Sequence, residues 1–515
     1  MSDLSDNTHS ITRPEENVEL AEIRNFKGKY PKQIWALFFS EMWERFCFYG
    51  MRGMLTYFMV EELMMREDKA QLQYGATQAF VYAFTFIGGI FADKILGFKR
   101  SLFWGGLLMI TGSVLLAINP HDLFFIGITF NIIGTGFFKP NISSMVGMLY
   151  KENDVRRDAG FLLFYSGINI GAFIGGYLIA IGKGTMFADW FSVDIRWNVA
   201  FGASAVAMII SLVTFIYTQK TIGPIGLSPL RHLGVKKERV YHFSVYIGAL
   251  AVVPLIILMV SNTVYTDYFM AIVGPFSLIY LGYEMSKNTF QENKKIVAAL
   301  LFILFAVIFW AIFEQAGGSL SIFASRHIGT NLLGVVNMDP NVVNNSFNSL
   351  FVIIFAPLVG LLLIWMARKR LEPNSVVKFG VAFLFLGLAY YLFYSIRFSA
   401  GSNGIGSLDI FALAYFVVTL GELFLSPIGL SLMTKLAPYR MQGLMMGLWF
   451  LAAAYGQYVA GLFGASITPA DNVTPLEKMD VYALGYYDFA LYAVICGIIL
   501  IAISPLIRKL MGSVK

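Results

Sequence analysis

The chain has 515 residues, of which 57% are hydrophobic and only 14% are charged. This composition is too apolar for a soluble protein and indicates a polytopic membrane protein. The net charge of +6 does not predict a nucleic-acid partner, because the Lys and Arg residues are sorted into alternate loops, as membrane insertion requires. Cys47 and Cys496 lie in apolar segments at opposite ends of the chain, so no disulfide framework or cysteine metal site is expected.

Apolar segments long enough to span a bilayer follow one another in groups of six, two and six. They lie near 33–60, 74–92, 101–118, 122–147, 158–181 and 197–218, then near 240–261 and 265–286, and finally near 296–316, 346–366, 376–397, 408–432, 441–464 and 485–507. The sequence therefore predicts an all-α membrane protein of about fourteen transmembrane helices.

The segments and loops also predict a domain organisation. Residues 1–30 are polar and contain no apolar core, which argues against a cleaved signal peptide and predicts a cytoplasmic tail. We expect an N-terminal six-helix bundle at 31–220, a linker with two additional transmembrane helices at 221–290, a C-terminal six-helix bundle at 291–509 and a second cytoplasmic tail at 510–515. Loops rich in Lys and Arg alternate with loops that contain few of them. Because the basic loops stay on the cytoplasmic side, this alternation places both termini in the cytoplasm.

The two halves show a weak internal repeat. Phe138-Lys-Pro-Asn in the fourth segment of the two bundles and Leu425-Ser-Pro-Ile in their tenth each place a proline inside an apolar helix. Matched halves of this kind are typical of transporters built from two bundles, with a site between the bundles near the membrane midplane. Chance similarity between apolar helices is the alternative.

The first segment contains the charged stretch Glu41-Met-Trp-Glu-Arg-Phe-Cys-Phe-Tyr-Gly50. At about 100° per residue, one helix face carries Glu41, Glu44, Arg45, Phe48 and Arg52. Each ionised side chain at a helix centre costs about 2.5–3.5 kcal/mol on insertion scales, so this face must point into protein or a watered cavity. Apolar residues on both sides of the stretch argue against the alternative of charges snorkelling at a helix end.

Three further charges lie inside predicted helices, and a lysine among them requires a carboxylate partner. They are Lys139 after a glycine-rich run, Glu314 in the seventh segment of the two bundles and Glu422 in the tenth. Buried carboxylates are natural proton carriers, although a static ion pair is the alternative for each. None of the five histidines lies at the middle of a segment, so we expect the glutamates to handle protons.

Uncharged polar and aromatic side chains complete the candidate site. The amides of Asn169 and Asn348 suit the backbone of a bound substrate, but hydrogen bonding between helices has at least equal weight. Aromatic residues that either line a cavity or simply pack between helices are Tyr82, Tyr165, Trp310 and Trp449.

The charged stretch resembles the E-x-x-E-R-F-x-Y-Y-G signature of the proton-dependent oligopeptide transporters, a branch of the major facilitator superfamily. Phe48 departs from it by replacing the first tyrosine. The resemblance continues through Gly88-Gly-Ile-Phe-Ala-Asp-Lys-Ile-Leu-Gly-Phe-Lys-Arg100, Phe137-Phe-Lys-Pro-Asn141, Phe164-Tyr-Ser-Gly-Ile-Asn-Ile-Gly-Ala172, Phe309-Trp-Ala-Ile-Phe-Glu-Gln315 and Gly421-Glu-Leu-Phe-Leu-Ser-Pro427. The two central helices resemble those of prokaryotic members.

This resemblance implies a role for each matching residue. Glu41, Glu44, Arg45 and Lys139 would couple protons, and Arg52 would pair with Glu314 as an extracellular gate. The substrate residues would be Arg52 and Lys139 for the peptide carboxylate, Asn169 and Asn348 for its backbone, Glu422 for its amino terminus, Ser426 beside it, and Tyr82, Tyr165, Trp310 and Trp449 for side-chain pockets. The missing hydroxyl of Phe48 would alter which peptides bind best.

The resemblance further implies a symporter that imports di- and tripeptides with protons by alternating access. We expect no cofactor besides the coupling proton. The expected partners are peptides and the lipid bilayer, and the protein is expected to function as a monomer in the inner membrane of a prokaryote. A relative that carries nitrate or hormones is the nearer alternative, but charges of both signs favour a zwitterion. A membrane-embedded enzyme is disfavoured, since no intramembrane histidine stands beside an Asp or Ser.

Overall fold

The computed structural model describes residues 14–151 and 154–512, without the side chains of Pro14 and of residues 426–428, 430, 431, 434 and 439. Its α-helices are α1 Pro14–Arg24, α2 Gln33–Glu61, α3 Glu67–Phe91, α4 Phe98–Ile118, α5 Phe124–Met148, α6 Arg156–Gly175, α7 Leu178–Lys183, α8 Arg196–Thr218, α9 Val235–Ala251, α10 Val253–Ser261, α11 Thr263–Met285, α12 Phe290–Phe313, α13 Ser319–His327, α14 Pro340–Arg368, α15 Ser375–Ser395, α16 Leu408–Leu436, α17 Gln442–Ser466 and α18 Pro475–Met511. A small antiparallel hairpin pairs β1 Asn331–Leu332 with β2 Val336–Asn337.

Twelve helical segments in the described ranges are long and apolar enough to cross a membrane. The two remaining predicted segments form α2, with 29 residues, and α5, with 25 residues. Both have the length to span a bilayer, and they carry the charged residues Glu41, Glu44, Arg45 and Lys139. The predicted all-α polytopic architecture is therefore confirmed. Each predicted apolar segment is helical, and the segments at 158–181 and 240–261 are each divided between two consecutive helices.

Several helices begin earlier than their apolar segments, because polar capping residues start them. Thr289 and Glu292 form a capping box at the start of α12, and Thr474 and Glu477 form one at the start of α18. Asp339 accepts from the backbone N–H of Asn341 at the start of α14. Hydropathy marks only the apolar run, so the predicted starts at 296, 485 and 346 fall inside these helices.

The predicted N-terminal tail contains the helix α1. Its Glu16 forms an ion pair with Arg231 at 2.6 Å, and Arg24 Nε donates to the carbonyl oxygen of Met148 at 3.1 Å. These contacts join α1 to segments more than 100 residues away in sequence, which composition alone does not indicate. Residues 1–13 and 513–515 of the two predicted tails lie outside the described residues.

The described chain divides into two compact units. One comprises the residues up to Met51 with 83–175 and 189–258, and within it α4 packs against α5 and α8. The other comprises 52–82, 176–188 and the residues from Met259 onward, and within it α15 packs against α16 and α18. The sequence-based domain boundaries remain predictions.

The glycine-rich run before Lys139 permits close contact between helices of the first unit. A Cβ atom on Gly136 would lie 2.6 Å from the backbone carbonyl of Phe84 in α3, and one on Gly134 would lie 2.7 Å from the carbonyl oxygen of Gly105 in α4. These neighbours are backbone atoms of α3 and α4, which cannot move aside as the end of a flexible side chain can. The close approach therefore holds α5, and with it Lys139, at a fixed depth.

We expect Gly136→Ala to destabilise the protein by about 1–3 kcal/mol, because the added methyl group must push α3 and α5 apart. Thermal unfolding of the purified protein in detergent measures this loss. Gly89→Ala is the matched control, since a Cβ atom there would meet its nearest neighbour, Pro140, at 3.9 Å. An equal melting temperature for both variants would contradict the assigned close contact.

Candidate functional site

The charged face of α2 holds a buried ionic cluster. Arg45 Nε donates to Glu41 Oε1 at 2.7 Å and lies 3.2 Å from Glu44 Oε2. The exposed fractions are 0% for Glu41 and Glu44 and 2% for Arg45. One guanidinium therefore serves two carboxylates, and the charges face the protein interior, as their cost in lipid requires.

Glu44 is held less firmly than Glu41 in this cluster. Neither carboxylate oxygen of Glu44 has a hydrogen-bond partner among the described residues, although the charge of Arg45 lies close. With both carboxylates ionised and Arg45 charged, the cluster carries one net negative charge. Binding of a single proton therefore changes a buried group of charges from anionic to neutral, which is a large electrostatic change in a low-dielectric site.

Lys139 of α5 lies beside this cluster. Its Nζ atom is 5.6 Å from the centroid of the Phe48 ring, within cation–π range, and it acts electrostatically on Glu44. Phe48, which replaces the tyrosine of the signature, thus offers an aromatic face to the lysine. The structure brings together the four residues predicted to couple protons, Glu41, Glu44, Arg45 and Lys139.

The α6 helix approaches α2 at a glycine. A Cβ atom on Gly171 would lie 2.1 Å from the carbonyl oxygen of Met42. Two residues earlier, Asn169 Nδ2 donates to the carbonyl oxygen of Tyr165 at 3.0 Å. The amide of Asn169 thus makes one hydrogen bond within its own helix, and its role in holding a substrate backbone stays a prediction.

Arg52, on the same face of α2, pairs with Glu314. Its guanidinium forms a short ion pair with Glu314 Oε2, and its Nε donates to the hydroxyl of Tyr74 at 2.7 Å. The exposed fractions of the two charged side chains are 16% for Arg52 and 4% for Glu314. The predicted pairing is thus present in the structure. Tyr74, which sequence reasoning missed, adds a neutral partner from α3.

Glu422 of α16 contacts amide and hydroxyl groups. Asn348 Nδ2 donates to Glu422 Oε2 at 2.9 Å and to Thr419 Oγ1 at 3.1 Å. In the part of the chain that the structure describes, no Lys or Arg forms an ion pair with Glu422. Ser426 lies one turn farther along α16, and its side chain is outside the described residues. The structure therefore brings Asn348 and Glu422 together.

Three of the four predicted aromatic residues, Tyr82, Trp310 and Trp449, make packing contacts. Trp310 packs edge-to-face against Phe313, with ring centroids 5.3 Å apart, and Tyr82 packs on a core that contains Met270. The Trp449 ring lies against Gly429, whose Cβ position would be 2.1 Å from Trp449 Cη2. These contacts agree with the packing alternative, and the role of these residues in side-chain pockets stays a prediction.

Comparisons with known proteins place this arrangement in a family. The family model described as the POT family matches residues 99–479. A peptide transporter of Yersinia enterocolitica is 31% identical, with 96% of this chain and 97% of the relative covered. A di-/tripeptide transporter of Lactococcus lactis is 30% identical, with 96% of this chain and 98% of the relative covered.

The solved structures agree in fold. The crystal structure of a POT peptide transporter in complex with alafosfalin is 31% identical and matches with a TM-score of 0.80, covering 97% of this chain and 99% of that chain. The family model spans the greater part of the chain, including Lys139, Glu314 and Glu422. The chain therefore belongs to the POT family, the proton-dependent oligopeptide transporters whose signature stretch lies in α2.

Proposed function

We propose that this protein is a symporter that imports di- and tripeptides together with protons by alternating access. It would lie in the inner membrane of a prokaryote, with both termini in the cytoplasm, and would function as a monomer. The proton is the coupling ion, and no other cofactor is required. The basic loops support this orientation, because Lys and Arg residues are retained on the cytoplasmic side during insertion.

The observation that carries the proposal is the environment of Glu422. Its carboxylate accepts from Asn348 and forms no ion pair with a basic residue in the described ranges. A carboxylate that accepts from a neutral amide and has no cationic partner is suited to receive the ammonium group of a substrate. The cationic residues Arg52 and Lys139 would attract the opposite end of the same substrate, its carboxylate.

The buried cluster on α2 supplies the coupling in this proposal. A proton that binds Glu44 removes the net charge of the cluster and frees Arg45 and Lys139 to interact with other anions. Since this change favours one conformation over another, protonation and peptide binding bias the same equilibrium. The membrane potential then drives net movement inward.

A carrier of nitrate or another small anion is the alternative within the same fold. An anion needs a cationic pocket alone and gains nothing from Glu422, which would repel it. A zwitterion uses both signs of charge. The relatives named above are peptide transporters, which also favours a peptide substrate over an anion and over the reactants of an enzyme.

The test compares a dipeptide with its N-acetylated form. We expect acetylation to weaken binding at least tenfold, because a charge-assisted contact of roughly 1.5–3 kcal/mol is replaced by a neutral amide. In Glu422→Gln the loss caused by acetylation should largely disappear, since both changes remove the same interaction. Competition against a labelled dipeptide at one fixed pH measures binding of the free and the acetylated peptide to the unmodified protein and to Glu422→Gln.

Asp409→Asn is the matched control on the same helix, because Asp409 bonds to the backbone N–H of Leu333 near the start of α16. We expect this variant to keep the full penalty for acetylation. Equal inhibition by free and acetylated dipeptide in the unmodified protein would refute the role of Glu422 and favour the anion alternative.

A further inference from the structure

The transmembrane segment that carries Glu314 is interrupted at that residue. Helix α12 ends at Phe313, a 3₁₀ turn follows at Glu314–Gly317, and α13 begins at Ser319. Two adjacent glycines, Gly317 and Gly318, close the interruption. A tightened turn of this kind breaks the regular ladder of backbone hydrogen bonds, so buried carbonyl groups need other donors.

Side chains from three other helices donate to carbonyl groups around this interruption. Tyr390 of α15 donates a short hydrogen bond to the carbonyl oxygen of Ile312. Asn344 Nδ2 of α14 donates to that of Ala316 at 2.7 Å, and Thr56 Oγ1 of α2 to that of Gly317 at 2.5 Å. The backbone on both sides of Glu314 is therefore fixed from several directions.

These donors are buried and are themselves held in place. The exposed fractions of Thr56, Asn344 and Tyr390 are 0%, 2% and 1%. Asn344 Oδ1 accepts a short hydrogen bond from the hydroxyl of Tyr415, so the amide is oriented by a second buried side chain. Because each group is enclosed, loss of one donor leaves a buried carbonyl group without that partner.

The interruption also contacts the partner of Arg52. A Cβ atom on Gly317 would lie 1.8 Å from the hydroxyl oxygen of Tyr74, the group that accepts from Arg52 Nε. The turn after Glu314 therefore packs directly against Tyr74, the residue that orients Arg52. A displacement of the turn would disturb both members of the ion pair.

We propose that Thr56, Asn344 and Tyr390 are positioning residues for Glu314. They hold the interrupted turn in the conformation in which the Glu314 carboxylate meets Arg52. They do so through hydrogen bonds to the backbone, and in the described residues none of them donates to the carboxylate itself. This inference rests on the proposed role of the Arg52–Glu314 pair as an extracellular gate. Opening of the gate then requires release of the Thr56 bond as well as of the ion pair.

The test measures opening of the outer side in single molecules. Fluorophores are attached at Lys69 and Val335, which are exposed on the segments that follow α2 and α13, in a Cys496→Ser background. Cys47 is buried and is retained. Energy transfer in purified protein in nanodiscs gives the dwell times of the closed and open states, whose ratio stays measurable even when one state is rare.

We expect Tyr390→Phe and Thr56→Val each to raise the ratio of open to closed dwell times about tenfold, as loss of one hydrogen bond to a buried carbonyl group predicts. Tyr482→Phe is the matched control, because Tyr482 is 0% exposed and its hydroxyl has no partner in the described ranges. Its ratio should remain that of the unmodified protein.

A second comparison separates positioning from general support of the fold. In a Glu314→Gln background, Tyr390→Phe should change the ratio less than twofold, because the charge that Tyr390 positions is already absent. An equal tenfold change in both backgrounds would overturn the proposal, since Tyr390 would then act independently of Glu314. No change in either background would overturn it as well.

The same measurements distinguish failure of this inference from failure of the gate. If Glu314→Gln raises the ratio but Tyr390→Phe and Thr56→Val do not, the gate is supported and the positioning role is refuted. If Glu314→Gln itself leaves the ratio unchanged, the gate is refuted, and the positioning role falls with it. Uptake of dipeptide tests the transport function separately in either case.

Discussion

Replacement of Glu314 by Gln should shift the resting protein strongly toward an outward-open conformation. The substitution leaves Arg52, which is largely but not fully buried, without its anionic partner in the closed state. Loss of one member of a buried pair costs roughly 3–5 kcal/mol. Such a loss changes the ratio of the two conformations by roughly 150- to 5,000-fold. Tyr74 still accepts from Arg52, but a neutral hydroxyl does not replace a carboxylate.

Distances between spin labels at Lys69 and Val335 measure this shift. The control is Glu372→Gln, because Glu372 lies in the loop before α15 with 41% of its side chain exposed, and an ion pair at such a site is worth about 0–1 kcal/mol. We expect its distance distribution to match that of the unmodified protein. An unchanged distribution in Glu314→Gln would count against the gate, whatever the effect on uptake.

Glu44→Gln and Lys139→Ala should each reduce gradient-driven uptake of a labelled dipeptide to the level of empty liposomes. Glu44 lies in the cluster whose net charge a proton would change, and Lys139 lies beside that cluster. Without the change in charge, protonation no longer biases the two conformations. Movement of one charge through the membrane potential supplies about 2.3 kcal/mol per 100 mV, which corresponds to roughly fortyfold accumulation per coupled proton.

Proteoliposomes with an imposed pH gradient give the uptake, and exchange of labelled for unlabelled dipeptide without a gradient gives the control. We expect exchange to persist in Glu44→Gln, since it needs substrate binding but no net proton movement. Glu15→Gln, an exposed carboxylate of α1, should behave as the unmodified protein in both assays. Normal accumulation by either cluster variant would refute the coupling role.

The candidate site divides into features that local sequence predicts and features that it does not. Helix periodicity is local, so the shared face of Glu41, Glu44 and Arg45 follows from residue spacing alone, and the i to i+4 bond within the cluster is its consequence. Asn348 and Glu422 are 74 residues apart, and their contact has no local signal. The same holds for the contact between Tyr74 and Arg52. Tyr74 lies in α3, at the first residue of a predicted apolar segment.

The interruption of the helix at Glu314 could not be predicted from the local sequence. Two adjacent glycines such as Gly317 and Gly318 weaken a helix, but their presence does not predict whether the helix bends, ends or continues. The outcome depends on donors such as Thr56 and Tyr390, which lie 261 and 78 residues from their acceptors. Only the packed structure shows that these donors exist and that the interrupted turn is stabilised.

The sequence by itself determined the membrane architecture and the charged face of α2. The physical reason is that lipid is a uniform apolar solvent, so the length and hydropathy of each segment decide whether it spans, and the cost of a buried charge decides where a face points. The tertiary structure decided which carboxylate Arg52 meets, which amide holds Glu422 and where the helix of Glu314 breaks. Those outcomes depend on close contacts between distant residues, where shifts of an ångström form or abolish a hydrogen bond.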